Sequence, residues 1–244
     1  MSSEFVLVTG SSSGIGEAIA RRLGTTQPLI LHGRDTGRIE CVRSALPRPA
    51  EHLPWTADLA TVEEAAEGLR SLLANAGGVV TGFVHAAGEF MIRPVTNVDY
   101  ASVSHIFAVN YFSATALLRV LLKRSVNRDA LRSVIFMSSV ASRYGAKGYS
   151  LYAASKGALD SLTRSLATEL APKVRVNSIL PGGLKTRGTA FLYEAQPEDI
   201  LNKGYLLGPG SPDDIARMAE YLMGDAGRWI TGQQFVIDGG KTAH

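Results

Sequence analysis

Cysteine is nearly absent from this chain of 244 residues: Cys41 stands alone, so no internal disulfide can form. No group of cysteines and histidines has the spacing of zinc ligands, and a metal is not expected. Excess charge is also missing. With 25 Lys and Arg against 22 Asp and Glu, the net charge of +3 is small for this length, and the pI near 9.0 reflects that balance rather than a nucleic-acid-sized basic patch. Long apolar runs are missing too. Met1-Ser2-Ser3-Glu4 is not a basic region leading into an apolar stretch, and apolar runs elsewhere are of strand length. Neither a signal peptide nor a membrane span is expected, which places the protein in the cytosol. There is no internal repeat and no low-complexity linker, and Pro47-Arg48-Pro49 reads as a surface loop.

What is present suffices for one substantial core, since 45% of residues are hydrophobic and 19% charged, and a single domain over residues 1–244 is expected. Strand-like runs at Phe5–Val8, Leu29–His32, His52–Thr56, Gly82–His85, Ser133–Met137, Arg175–Leu180 and Gln234–Ile237 alternate with helical segments. This alternation predicts an α/β fold, a Rossmann-like doubly wound parallel sheet with helices on both faces. Ligands of such sheets bind beyond the carboxyl ends of the strands. Thr9, Arg34, Asp58, Gly88, Ser139 and Pro181 each come at such an end.

The amino terminus shows what kind of ligand. The apolar run Phe5-Val6-Leu7-Val8 leads into Thr9-Gly10-Ser11-Ser12-Ser13-Gly14-Ile15-Gly16 and then an amphipathic helix start, Glu17 to Leu23. Gly10 permits a tight turn, Gly14 lets backbone approach a pyrophosphate, and Gly16 lets helix pack closely on strand, while amides at the helix start face the phosphates. The spacing is G-x-x-x-G-x-G and not the G-x-G-x-x-G of the standard dinucleotide fingerprint. Alone, such a turn fits a loop and a cap equally well.

A second constellation lies downstream. Tyr152 and Lys156 are four residues apart, so on a helix they project from one face, and Ser139 lies thirteen residues before the tyrosine. An ammonium beside a phenol favours the phenolate and lowers the phenol's ordinary pKa of about 10, making Tyr152 a usable acid. Ser139 can hold a carbonyl oxygen for that acid to protonate, which leaves the carbon ready for a hydride. In isolation the same tyrosine and lysine read as a half-buried aromatic and a solvated charge.

The two constellations together resemble the short-chain dehydrogenase/reductase family, and the resemblance runs from about Phe5 to Gly240. Thr9 to Gly16 matches the family's T-G-x-x-x-G-x-G turn, and Ser139, Tyr152 and Lys156 match its catalytic serine, tyrosine and lysine. The resemblance implies phosphate contacts from Gly10, Ser12, Ser13, Gly14, Ile15 and Gly16, and adenine contacts from Asp58 and Leu59. It also implies that Pro181, Gly182 and Thr186 cup the nicotinamide carboxamide. Asn110 corresponds to the asparagine that kinks the central helix and orders a water near the lysine. The family's N-N-A-G appears as His85-Ala86-Ala87-Gly88, so Ala86, Ala87 and Gly88 are expected at the cofactor and His85 is read as structural.

Cofactor choice turns on Leu29-Ile30-Leu31-His32-Gly33-Arg34-Asp35. An acidic residue at that strand end would select NAD; Gly33 stands there instead, and the guanidinium of Arg34 suits a 2′-phosphate. NADP(H) is therefore favoured over NAD(H). Asp35 dissents, unless it points away from the ribose.

The closing segments Pro212 to Ala216 and Ile230 to Gly240 are similar to those of 3-oxoacyl-acyl-carrier-protein reductases of fatty acid biosynthesis. This implies an acyl-thioester substrate. Lys123, Arg124, Arg128 and Arg132 form a basic segment that suits an acidic acyl carrier protein, or is only a solvated face. A lid is expected over about residues 187–210, where Phe191, Leu192, Tyr193 and Leu206 suit an apolar substrate or plain helix packing. The closing segments are shared with dehydrogenases of small ketones, sugars and secondary alcohols, which leaves that alternative open. A non-catalytic dinucleotide sensor is a further one, although such proteins usually lose the tyrosine or lysine. The resemblance implies a homotetramer or homodimer; Leu159, Leu162 and Leu166 are either its interface stripe or core.

Overall fold

The computed structural model describes residues 3–195 and 203–243. Seven strands, β1 (Glu4–Thr9), β2 (Leu29–Gly33), β3 (Leu53–Thr56), β4 (Val79–His85), β5 (Ser133–Met137), β6 (Arg175–Pro181) and β7 (Gln234–Ile237), form one sheet. All neighbours pair in parallel, in the order β3-β2-β1-β4-β5-β6-β7. The order runs outward in both directions from β1 and β4, so a crevice opens between the carboxyl ends of those two strands.

Successive side chains of a strand point to opposite faces, so β1 sends Phe5 and Leu7 into one core and Val6 and Val8 into another. Strands so enclosed read as continuous apolar runs. The first core is closed by α3 (Val62–Ala76), α5 (Ser113–Leu122) and α7 (Ser150–Leu170), through Leu69, Leu73, Leu117, Leu121 and Leu159. The second is closed by α1 (Gly14–Leu23), α2 (Thr36–Ser44) and the last helix, α9 (Pro212–Met223), through Ile19, Leu23, Ile39, Val42, Ile215 and Leu222. Leu159 is thus core; Leu162 and Leu166 are only half-buried and border a shallow apolar groove with Leu118 and Leu122.

The central helix begins as α4 (Tyr100–Phe107), widens into a π turn over Ala108–Phe112, and continues as α5. Its 23 residues include an 18-residue window of mean hydropathy 1.4, long and apolar enough to cross a bilayer by length and composition. Here that apolarity serves the first core, to which Ala114, Leu117, Val120 and Leu121 belong.

Strand β4 starts at Val79, earlier than the expected Gly82, because its apolar run is broken by Thr81 and Gly82 at a register shift against Phe5 and Val6. A Cβ at Gly82 would lie 3.0 Å from Met223 Sδ, so the glycine also lets α9 come close. Pairing of β4 with β5 begins only at Gly82. Ahead of it, Asn127, buried in the short helix α6 (Arg124–Asn127), takes the Val80 N–H at 2.6 Å and donates to the carbonyls of Val80 at 2.9 Å and Leu121 at 3.1 Å. Replacing Asn127 by Leu strands three buried backbone groups. The expected loss is roughly 2–4 kcal/mol, read as a lower urea midpoint at constant m; a loss below about 1 kcal/mol would mean that water satisfies those groups.

Candidate active site

The site begins where β1 turns into α1. Gly10 has φ +68° and Gly14 φ +57°, and a Cβ at Gly10 would stand 2.8 Å from Ala87 Cα. A Cβ at Gly16 would stand 2.3 Å from the Gly10 carbonyl oxygen. These approaches press the turn against the segment after β4 and leave backbone amides facing an open cradle. His32 braces it: its Nδ1 accepts the Gly10 N–H at 3.3 Å, its Nε2 reaches the Ala57 carbonyl at 3.2 Å, and its own carbonyl accepts from Ser11 N at 2.9 Å. An accepting Nδ1 requires a neutral ring protonated at Nε2. Burial pushes His32 down to about 4, so the ring stays neutral. Thr9 Oγ1 accepts the Ala87 N–H and contacts His85 Nδ1, each at 3.1 Å. His85 is fully buried, is pushed down to about 3 by burial and then by the charge of Lys156, and among the described residues its Nε2 has no hydrogen-bond partner. It supports the strand end and does not line the cleft.

Beyond β5, Ser139 caps a single 3-10 turn, Val140–Ser142, its Oγ accepting the Ala141 N–H at 3.2 Å. Tyr152 and Lys156 project from one face of α7 toward it. Lys156 is buried, donates to the Met137 carbonyl at 2.9 Å, and lies 5.9 Å from the Tyr152 ring centroid. The expectation that this lysine lowers the tyrosine's pKa is corrected. Burial pushes Tyr152 up to about 12, opposed by its hydrogen bond with Ser139, and pushes Lys156 down to about 8, opposed by Asp160. Desolvation favours the neutral form of each group and is the largest cause of both shifts. Tyr152 therefore retains its proton at neutral pH, as a proton donor must.

Asn110 stands behind the cleft, fully buried in the π turn. Its Oδ1 accepts the Glu89 N–H at 2.7 Å, and its Nδ2 donates to the Glu89 carbonyl at 3.0 Å and to Ser155 Oγ at 2.9 Å, tying the segment after β4 to α7. A Cβ at Gly88 would meet Lys156 Nζ at 2.9 Å and Asn110 Oδ1 at 3.3 Å, so position 88 admits only glycine without displacing either. Asp160, which sequence reasoning missed, is buried one helical turn beyond Lys156. It accepts from Ser142 Oγ at 2.5 Å and Ser178 Oγ at 3.4 Å, anchoring the turn that Ser139 begins. An acid on the inward face of α7 was the signal.

The other predicted residues converge. Gly10, Ser12, Ser13, Gly14, Ile15, Gly16, Arg34, Asp58, Leu59, Ala86, Ala87, Gly88, Ser139, Tyr152, Lys156, Pro181, Gly182 and Thr186 line one cleft of about 480 Å³. Its glycine-rich cradle at a helix start, continued along the strand ends, fits a nicotinamide dinucleotide. Position 33 carries no acid, and a Cβ there would lie 2.8 Å from Ser12 Oγ, so a side chain would first have to displace Ser12. Asp35 turns to cap α2, accepting from Arg38 N at 3.1 Å and Arg38 Nε at 2.9 Å. Arg38, Glu89, Phe90 and Tyr205 also line the cleft and were not foreseen.

The substrate side is aromatic. The Phe90 ring lies 4.8 Å from that of Tyr152, 5.4 Å from Tyr149 and 6.1 Å from Phe191, and the Tyr205 hydroxyl accepts the Gly183 N–H at 2.7 Å. Of the expected lid, Arg187–Thr189 forms a 3-10 turn and Ala190–Ala195 a short helix, α8. Residues 196–202 and the side chains of Leu192 and Tyr193 lie outside the described residues. Leu206 is exposed and packs over Gly240, not into the cleft.

A family model described as enoyl-(acyl carrier protein) reductase matches residues 10–242. Dehydrogenase/reductase SDR family member 4 from Oryctolagus cuniculus is 31% identical, over 98% of this chain and 94% of the relative. An NADP-dependent (R)-specific alcohol dehydrogenase from Lentilactobacillus kefiri is 29% identical, over 98% of this chain and 86% of the relative. The solved structure of 4-hydroxyisoleucine dehydrogenase complexed with NADH superposes with a TM-score of 0.89 at 28% identity, covering 99% of each chain.

The brace at His32 carries a pH signature. Its folded value, about 4, lies below the ordinary 6.5, so its stabilising contribution is complete above pH 6.5 and is lost as pH falls toward 4. In that window His32 removes about 1.4 kcal/mol per pH unit. A His32→Gln variant keeps an acceptor and a donor but does not titrate, so its unfolding free energy falls less steeply between those pH values. Parallel curves for the two proteins would contradict the assignment.

Proposed function

The chain belongs to the short-chain dehydrogenase/reductase family of oxidoreductases acting on alcohols and ketones, and we propose that it reduces a ketone to a secondary alcohol with NADPH, a 3-oxoacyl thioester being the favoured substrate. The observation that carries the reduction is the meeting of Ser139, Tyr152 and Lys156 at one cleft wall, with the phenol protonated. NADPH is supported by position 33, which carries no acid, and by Arg34 and Arg38 lining the cleft beside it. Among the relatives, one is described as NADP-dependent and one is solved with NADH, so the choice rests on these residues.

NADPH, when bound, supplies the hydride. The glycine turn from Gly10 to Gly16 would hold its pyrophosphate, Lys156 its nicotinamide ribose, and Pro181, Gly182 and Thr186 its carboxamide. Ser139 holds the ketone oxygen, and Tyr152 gives that oxygen its phenolic proton, so the C=O group gains a hydride at carbon and a proton at oxygen. Lys156, pushed down to about 8, can return a proton toward Tyr152 at neutral pH. Asn110 positions Glu89 and Ser155 and so keeps Gly88 close beneath Lys156.

The thioester reading draws on the family model's description and on the apolar lining from Phe90 to Tyr205. Lys123, Arg124, Arg128 and Arg132 are exposed but precede the first residue of β5, at the amino ends of the strands and away from Ser139, so they read as a solvated face and the thioester reading does not draw on them. A second reading, a small aromatic or apolar ketone, is favoured by the rings of Phe90, Tyr144 and Tyr149 around Tyr152. The half-exposed Leu162 and Leu166 support assembly into a dimer or tetramer. Residues 1–244 act as one catalytic unit in the cytosol, with a lid over about 187–210.

The test follows NADPH and NADH consumption with an acetoacetyl thioester, free and carrier-borne, beside simple ketones. NADPH-driven thioester reduction is expected; turnover of a plain ketone alone would shift the assignment to the second reading. Tyr152→Phe is expected to lower kcat by about 10²–10⁴ while NADPH still binds. A dinucleotide sensor would show tight binding and no turnover with any substrate before mutation.

A further inference from the structure

The cofactor's 2′-phosphate does not meet a free guanidinium. Arg34 Nη1 donates to Glu89 Oε1 at 3.0 Å, and the other carboxylate oxygen, Oε2, lies 2.7 Å from His105 Nε2. Arg34 leaves the end of β2 and Glu89 follows the end of β4, the two strands that flank β1. Their ion pair therefore spans the glycine turn at the head of the cleft, which both residues line. Glu89 is also held by its backbone, since Asn110 engages both its N–H, at 2.7 Å, and its carbonyl, at 3.0 Å. Its backbone is thus held by the π turn of the central helix and its carboxylate by Arg34 and His105, so it is not a wandering surface charge. Arg38, the second cation at this end, is occupied by Asp35.

We propose that Glu89 sets the preference between NADPH and NADH, as the internal counter-ion that the 2′-phosphate must displace from Arg34. The proposal rests on the NADPH reading above. Paired, Arg34 and Glu89 sum to zero charge and offer a phosphate dianion little; only when Glu89 yields does the anion gain the bidentate guanidinium. NADH presents an uncharged hydroxyl at that position, which leaves the pair intact. Glu89 therefore handicaps NADPH selectively and narrows the preference that Arg34 creates.

Isothermal titration of the full chain with NADPH and NADH at low and high salt tests this. Glu89→Gln removes the charge and keeps the shape, and an exposed ion pair of this kind sets the scale: NADPH is expected to bind about threefold to fivefold tighter at low salt, with NADH changed less than about twofold. The gain shrinks at high salt, where exposed charges are screened. Glu89→Ala gives the same tightening, which separates charge from the glutamine's own hydrogen bonds. In the Arg34→Gln/Glu89→Gln double variant the gain vanishes. If Arg34→Gln alone weakens NADPH while Glu89→Gln binds it no tighter than the parent, the proposal fails and the NADPH reading stands. If Arg34→Gln leaves NADPH binding unchanged, the reading itself fails. A loss of NADH affinity in Glu89→Gln would overturn the proposal by making Glu89 a ribose acceptor.

Discussion

The contact on which this molecule's site depends is the approach of two backbones, the turn at Gly10 and the segment at Ala87. A single added carbon at Gly10 would sit 2.8 Å from Ala87 Cα, so the approach exists only because position 10 has no side chain and a left-handed φ. Through it the carboxyl ends of β1 and β4 share one floor. The hydroxyl of Thr9, the ring of His85 and the ring of His32 then serve to hold that floor from below.

Around this floor the polar groups are buried in forms that burial itself selects. His32 and His85 stay neutral, Tyr152 keeps its proton, and Lys156 is pushed toward losing its own. The π turn in the central helix brings Asn110 inward, where its amide satisfies the backbone of Glu89 at both groups. Asp160 does the corresponding service for the turn that carries Ser139. The phenol of Tyr152, the amine of Lys156 and the hydroxyl of Ser139 are thus fixed by packing from behind, which leaves the cleft side free for ligands.

Much of this was legible in the residues. Alternating strand and helix patterns place the seven strands, with the largest boundary difference at β4, where the register shift and Gly82 interrupt the apolar run. His52 was read into β3 but lies just outside it, its imidazole and not its backbone pairing with Leu29 N. The glycine turn and the Tyr152–Lys156 spacing were visible because both are local: a turn of a few residues, and one turn of helix.

The sequence by itself determined which groups are available, their order along the chain and their local spacing, because backbone conformation at glycine and the period of a helix act over neighbouring residues. The tertiary structure alone decided their ionisation and their partners. Tyr152 rises where its spacing from Lys156 suggested a fall, because the dielectric surrounding a group is set by everything packed against it. Arg34 finds Glu89, 55 residues away, because β2 and β4 flank β1 in the sheet, a relation no local pattern encodes.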